Sequence, residues 1–254
     1  MAALRRTTAP QAQPRRTRIT DAAHSLARVA HELLEFVLPQ RCPGCGAPAA
    51  SARLLCESCW RRLPTLGTPL CARCLLEQRP PDGCRRHPNE LVHAAWLYDD
   101  RVAALVHAFK FDARPGLADV LAPAIARALP KAPRPSMVVA VPLHAARRRE
   151  RGYDQAARLA QAVARECGVP FADGVLVRTR ATAAQSGLGP EARRVNLRGS
   201  FQLAEPRWVA AQQVLVVDDV LTTGATLHEA MAALRVPGSR TRTQGAVAGW
   251  ASQA

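Results

Sequence analysis

VLVVDDVLTTGAT, Val214 to Thr226, runs four aliphatic residues into the adjacent carboxylates Asp218 and Asp219, and then into a turn of threonines around Gly224. An apolar run without polar alternation is the pattern of a strand covered on both faces. Such a strand delivers Asp218 and Asp219 to the carboxyl end of a sheet, where open α/β folds bind their ligands. Carboxylates placed there can accept hydrogen bonds from the vicinal hydroxyls of a sugar. Thr222, Thr223, Gly224, Ala225 and Thr226 then wrap into the start of a helix, whose free N–H groups and positive dipole end favour a phosphate. Gly224 permits close approach, and the threonines add hydroxyl donors. A ribose bearing a 5′-phosphate matches this layout, with the diol at one end and the phosphate at the other.

Other kinds of protein carry a similar run. A response-regulator receiver needs on the order of 100 further residues, and the sequence ends at Ala254. A Walker B carboxylate requires a G-x-x-x-x-G-K-[ST] loop, and no Gly-Lys pair occurs.

Beyond residue 90, apolar segments alternate with alanine-rich helical ones. This predicts an α/β fold, a parallel sheet with helices on its faces. Strands are expected at Met137–Val141, Gly174–Val177, Val214–Val217 and Gly245–Gly249, and helices near Val102–Phe109, Leu117–Leu129, Asp154–Cys167 and Ala225–Leu234.

The chain of 254 residues is long enough for one well-cored domain of about 100–200 residues plus a small appendage. Residues 1–20 combine Pro, Arg, Thr and Gln without periodicity, which predicts a disordered basic tail. Leu26, Val29, Ala30, Leu33, Leu34 and Val37 mark a helix within residues 21–40, stopping before Pro39. Residues 41–89 are dominated by cysteine pairs, Pro and Arg. They hold too few large aliphatics for a core of their own, so metal must take its place. Their ligands are expected to lie outside the core of the sheet domain, residues 90–254.

The candidate ligands fall in four steps: CPGC (Cys42, Cys45), CESC (Cys56, Cys59), CARC (Cys71, Cys74) and CRRH (Cys84, His87). Two residues between ligands let one tight turn present both side chains to one ion, and two such turns complete a tetrahedron. Four turns make two zinc sites. Sequential pairing gives a four-cysteine site and a site of three cysteines and one histidine; interleaved pairing uses the same ligands and stays open. Filled by protein alone, neither site has an open position for catalysis. His87, in an Arg-rich loop, is the least distinctive of these ligands, and Cys167 reads as a small core residue.

Lys and Arg number 35 against 20 Asp and Glu, a net charge of +15. Apart from Lys110 and Lys131 the positive charge is all arginine, so overall composition accounts for it as well as a phosphate-bearing partner such as single-stranded DNA does. No stretch is long and apolar enough to span a membrane, and the first residues lack the apolar core of a secretory signal. Paired thiols in such a chain favour metal over disulfides, and a cytoplasmic protein is expected.

With these residues in view, VLVVDDVLTTGAT resembles the phosphoribosyl pyrophosphate (PRPP) signature of type I phosphoribosyltransferases. FVLPQRCPGC (Phe36 to Cys45), AFKF (Ala108 to Phe111), VPLHAARRRERGYDQAARLA (Val141 to Ala160) and RTRATAAQSGLGPEARRVNLRGSF (Arg178 to Phe201) extend the likeness to the ComF family. These are competence-associated proteins that join a zinc ribbon to a phosphoribosyltransferase domain. The resemblance covers about residues 36–250. It implies a type I phosphoribosyltransferase-like parallel sheet preceded by a double zinc ribbon. It implies that Asp218 and Asp219 hold the ribose hydroxyls, that Thr222 to Thr226 cradle the 5′-phosphate, and that Mg2+ accompanies PRPP. Displacement of pyrophosphate from the anomeric carbon is the implied reaction, in a protein linked to DNA uptake. A non-catalytic module binding single-stranded DNA or competence proteins is the alternative, and no residue singles itself out as a catalytic base.

One departure is visible. The family usually reads Arg-Gly-aromatic-Asn-Gln where this chain has Arg151, Gly152, Tyr153, Asp154 and Gln155. Asp154 can still cap the helix it begins, but its charge argues against a pyrophosphate role for this loop. The segment from Arg178 to Phe201 carries Gln185, Arg193, Arg194 and Asn196; in related transferases a mobile loop here closes over the pyrophosphate, excluding water. Arg147, Arg148, Arg149 and Arg151 can funnel phosphate or simply flank a helix. Phe109 and Phe111, around Lys110, can stack a base or fill the core.

Overall fold

The computed structural model describes residues 41–49, 54–77, 84–87, 89–111, 114, 116–143, 154–180 and 190–251. The expected basic tail (1–20), the helix expected within 21–40, the run Arg147 to Arg151 and Gln185 lie outside the described residues. Of Arg193 only the backbone is described.

Helix α1, Glu57–Arg61, and the short strand β1, Leu70–Cys71, lie in the cysteine-rich part. There follow β2 (Leu91–Leu97), α2 (Asp100–Phe111), α3 (Leu117–Ala128), β3 (Met137–Ala140), α4 (Gln155–Cys167), β4 (Leu176–Arg178), α5 (Pro190–Leu197), β5 (Phe201–Leu203), β6 (Gln213–Leu221), α6 (Ala225–Ala233) and β7 (Arg242–Trp250). The central sheet has the order β1-β2-β7-β6-β3; β2, β7, β6 and β3 are parallel and β1 closes one edge antiparallel.

Side chains alternate between the faces of a strand. Leu215 and Val217 therefore join α2, α3 and α4 in one core, while Val214 and Val216 join α6 in the other. Leaving β3, the chain passes to α4 on one face; leaving β6, it passes to α6 on the other. The carboxyl ends of these neighbouring strands thus diverge, which opens the crevice where such folds bind ligands. Asp154 accepts from Ala157 N–H at 3.0 Å and so caps α4, the role its side chain allows.

Three sequence expectations change. The strand around Gly174–Val177 exists, as β4, but it pairs antiparallel with β5 in a separate two-stranded sheet. Leu176 is buried and Val177 exposed, so only one face is covered and the strand cannot sit inside a parallel sheet. β2 was not anticipated, because LVHAAWL mixes alanines and a histidine into its run; pairing with β7 is what makes it a strand. Last, the cysteine-rich part does not lie outside the core. Cys42, Leu55, Cys59 and Leu63 share a cluster with Leu105 and Phe109 of α2, Leu70 and Ala72 share the other with β2 and α6, and Trp60 packs edge-on against Trp96 with ring centroids 5.7 Å apart.

Candidate functional site

β6 continues past its acidic pair. Asp218 pairs with Val247 and Leu221 with Trp250 of β7, whereas on the other side the ladder with β3 stops at Val217 opposite Ala140. The carboxylates are therefore held inside a strand on one flank and released on the other, rather than standing beyond the strand end as the apolar run alone suggests. Asp218 folds back so that its carboxylate accepts the N–H of Asp219 at 2.9 Å. Asp219 Oδ1 lies 2.8 Å from Lys110 Nζ, at the end of α2.

The electrostatics follow from this trio. Burial and the charge of Asp219 push the Asp218 carboxyl up from its ordinary 3.8 to about 7, against the pull of Lys110. Burial works against charging Lys110, but Asp219 and then Asp218 hold it above the usual lysine value. The ammonium is thus paired with Asp219 while Asp218 is pushed toward its protonated form, which concentrates a proton and a cation at the strand's open flank.

After Leu221 the chain turns through Thr222, which is exposed, and through Thr223, Gly224 and Ala225, which are buried, into α6; Thr226 is half-buried. Gly224 has φ +72° and provides no side-chain cap for α6. The helix start therefore presents its N–H groups without a capping acceptor. A Cβ at Gly224 would lie 1.7 Å from the carbonyl oxygen of Ala72, so only glycine allows this turn to sit against the cysteine-rich part. A cleft of about 430 Å³ opens here, lined by Arg73, Arg194, Arg198, Thr223, Gly224 and His228 among others. A smaller cleft of about 230 Å³ lies between Pro142, Asp154, Gly174 and Arg178.

The eight metal candidates assemble by sequential pairing: Cys42, Cys45, Cys56 and Cys59 in one group, Cys71, Cys74, Cys84 and His87 in the other, each with its ligand atoms within 4.8 Å of one another. Sulfurs of Cys45 and Cys56 are 3.6 Å apart, those of Cys74 and Cys84 3.8 Å, and His87 Nδ1 is 3.6 Å from both Cys71 and Cys84. Zn–S bonds of about 2.3 Å in a tetrahedron separate sulfurs by about 3.8 Å, so both cages have the dimensions of a zinc ion. No cysteine is in a disulfide. Between Cys42 and Cys45, a Cβ at Gly44 would lie 3.0 Å from Cys59 Sγ and 2.9 Å from Arg101 Cγ, so a larger residue there would crowd the sulfur cage and displace the Arg101 side chain.

Other candidates separate. Phe109 is fully buried and belongs to the core; Phe111 is 59% exposed and rests on His107 with ring centroids 4.9 Å apart. Cys167 is half-buried against the core. The segment from Arg178 to Phe201 is not loop throughout: its ends pair across β4 and β5, and it carries α5, whose Arg194 and Asn196 are described. Two residues were missed by sequence reasoning. Lys110 stands in the sequence as the centre of an aromatic pair, and the signal that could have marked it is that it is one of very few lysines in an arginine-rich chain. Glu90, only 3% exposed, lies 2.9 Å from His228 Nδ1 and also pairs with Arg235, both from the α6 region. Burial raises its carboxyl, but His228 and Arg235 hold it below the ordinary value. Nothing in its local sequence marks it.

Residues 33–86 match the double zinc ribbon domain and residues 120–240 the phosphoribosyl transferase domain. The chain is 33% identical over 194 residues to DNA utilization protein YhgH of Salmonella typhi, covering 74% of each chain. It is 33% identical over 195 residues to DNA utilization protein YhgH of Escherichia coli K12, covering 74% of this chain and 81% of that one. With Competence protein F of Haemophilus influenzae the identity is 30% over 194 residues, covering 71% and 84%. By these matches the chain belongs to the ComF family, in which a double zinc ribbon is joined to a phosphoribosyltransferase domain.

Proposed function

We propose that this chain binds PRPP or a related ribose 5-phosphate at the end of β6, in a protein serving DNA utilization or uptake. The observation that carries the reading is the acidic pair on β6 and the uncapped helix start that follows the same strand: Asp218 and Asp219, then, past Leu221 and the two threonines, Gly224 at φ +72° opening α6. Carboxylates accept the ribose hydroxyls through charge-assisted bonds, and the N–H groups of Thr223 to Thr226 face the 5′-phosphate. Mg2+ suits this donor set, since it is usually held by one or two carboxylates together with substrate phosphates; bound there, it would neutralise a pyrophosphate leaving group. The chain's own contribution is to orient the sugar, with Lys110 holding Asp219 in place. Transfer would form a bond from an acceptor to the anomeric carbon as the bond to pyrophosphate breaks. The names of the relatives support the DNA context.

Calorimetric titration of the purified, zinc-loaded protein with PRPP and Mg2+ tests this, alongside the Asp218→Asn/Asp219→Asn double variant. Bonds to charged groups are worth about 1.5–3 kcal/mol each, so affinity should fall by at least about tenfold. Equal binding by both proteins would remove the acidic pair from the site. Pyrophosphate release with candidate acceptors would then separate a transferase from a binding module.

The basic charge favours a second reading, in which single-stranded DNA is a partner. Arg73, Arg194 and Arg198 are exposed around the cleft, and such groups neutralise a phosphate backbone.

A further inference from the structure

The start of α6 has no cation of its own. Its sequence, ATLHEAMAA, contains neither lysine nor arginine, and Lys110 is occupied by Asp219. A doubly charged phosphate at Thr223–Ala225 would therefore meet the carboxylate of Glu229, which lines the same cleft, unless positive charge comes from elsewhere in the fold. It comes from two other places, the turn between Cys71 and Cys74 and helix α5 with the turn that follows it, which bring Arg73, Arg194 and Arg198 to the same cleft.

Of these, Arg73 lies on the zinc-ligand turn, and its backbone is tied to three neighbouring parts of the fold. Its neighbour Ala72 lays its carbonyl oxygen against Gly224 and donates its N–H to Glu90 O at 2.8 Å. Glu90 is in turn held by His228 and Arg235. The carbonyl of Arg73 accepts from Arg194 Nη2 at 3.1 Å, and Leu75 N–H donates to Cys71 O at 2.9 Å, closing the turn. The backbone is thus tied to α5, to the segment before β2 and to the ligand turn, while the Arg73 side chain is exposed and has no ion pair or hydrogen-bond partner among the described residues.

We propose that Arg73 is a phosphate-binding residue of the transferase-like site, and that the third zinc knuckle, Cys71 to Cys74, serves that site by holding Arg73 over the turn at Gly224. The proposal rests on the ribose 5-phosphate reading above. It gives the ribbon a part in ligand recognition beyond its share of the core. A guanidinium offers a phosphate a fork of parallel donors, which a knuckle pinned at both ends by metal ligands can present with little loss of freedom.

Ribose 5-phosphate and ribose are the probes, titrated into the full-length, zinc-loaded chain by calorimetry. Arg73→Ala should weaken ribose 5-phosphate binding about tenfold or more. Arg73→Lys should recover part of that loss, because the charge returns without the fork. Arg207→Ala, whose arginine pairs with Glu205 away from the cleft, should bind as wild type. The loss should disappear for ribose, which has no phosphate for Arg73 to meet. Cys74→Ser, checked for its zinc content and for retained folding, should weaken binding by a similar factor, and combining it with Arg73→Ala should add little. If wild type binds ribose 5-phosphate and loses it on Asp218→Asn/Asp219→Asn, but Arg73→Ala binds unchanged, the role of Arg73 is overturned while the site reading stands. If wild type binds neither ribose 5-phosphate nor PRPP, the site reading fails and the role of Arg73 fails with it.

Discussion

Lys110 Nζ lies 2.8 Å from Asp219 Oδ1, joining the last turn of α2 to the open flank of β6. The pair makes the adjacent carboxylates unequal. Asp219 is neutralised by an ammonium, whereas Asp218 is left to burial and to the repulsion of its neighbour.

Single substitutions should therefore act in opposite directions. Asp219→Asn leaves Lys110 mostly buried without its counter-charge, which costs about 1–3 kcal/mol and should lower the melting temperature. Asp218→Asn removes a like charge and should leave stability at pH 8 unchanged or raised. Thermal melts of the ligand-free variants decide; an equal effect of the two would mean that the ion pair does not govern this flank.

The pH dependence follows from the same asymmetry. Asp218 is raised from 3.8 to about 7 in the folded chain, so between those values the folded state holds a proton that the unfolded state has released. Its contribution to stability is then greatest at the acid end and declines as pH rises from about 4 to about 7. Urea midpoints across this range should show that decline in wild type relative to Asp218→Asn, and parallel curves would contradict it.

Cys42→Ser should damage more than the ribbon. Cys42 is 1% exposed and shares a core with Leu105 and Phe109, and losing one of four ligands releases the folding energy of a structural site. The variant should bind one zinc fewer, melt earlier, and show faster amide exchange in α2. Wild-type exchange in α2 would mean that the ribbon unfolds without touching the sheet domain.

Gly224→Ala tests the junction between the ribbon and the ligand turn. A left-handed alanine costs about 1–2 kcal/mol, and its Cβ would lie 1.7 Å from the Ala72 carbonyl, so backbone must move. Loss of stability, loss of ribose 5-phosphate binding and faster exchange over residues 70–76 are expected together; unchanged exchange there would show that the contact is dispensable.

Single-stranded DNA should bind non-specifically and release steeply as salt rises, because arginines displace counterions. Fluorescence anisotropy with a labelled oligonucleotide at increasing salt measures this. Absence of binding at low salt would leave the net charge of +15 as composition.

Local patterns carried part of the structure into the sequence. A C-x-x-C step favours a tight turn, and an apolar run leading to T-T-G-A-T favours a strand followed by a helix, because a few neighbouring dihedrals decide both; that β6 runs past the acidic pair to Leu221 is decided by its pairing with β7. The helix Gln155–Cys167 was legible in the same way, through its periodicity and the cap at Asp154. Whether zinc ligands paired sequentially was not legible, since either pairing uses the same local turns; the clusters around Cys42 and Cys71 decide it.

What the sequence by itself determined was therefore most of the strands and helices of the sheet domain and the four knuckles, but not β2, the antiparallel pairing of β4 or the extension of β6 past its acidic pair. Only the tertiary structure decided that Lys110 meets Asp219, that Glu90 is held by His228 and Arg235, and that Ala72 seats Arg73 on the turn at Gly224. Each of these contacts joins residues far apart in the chain. Their meeting depends on the register of β2, β7 and β6 and on burial of both faces of the sheet, and those are properties of the packed whole that no window of sequence contains.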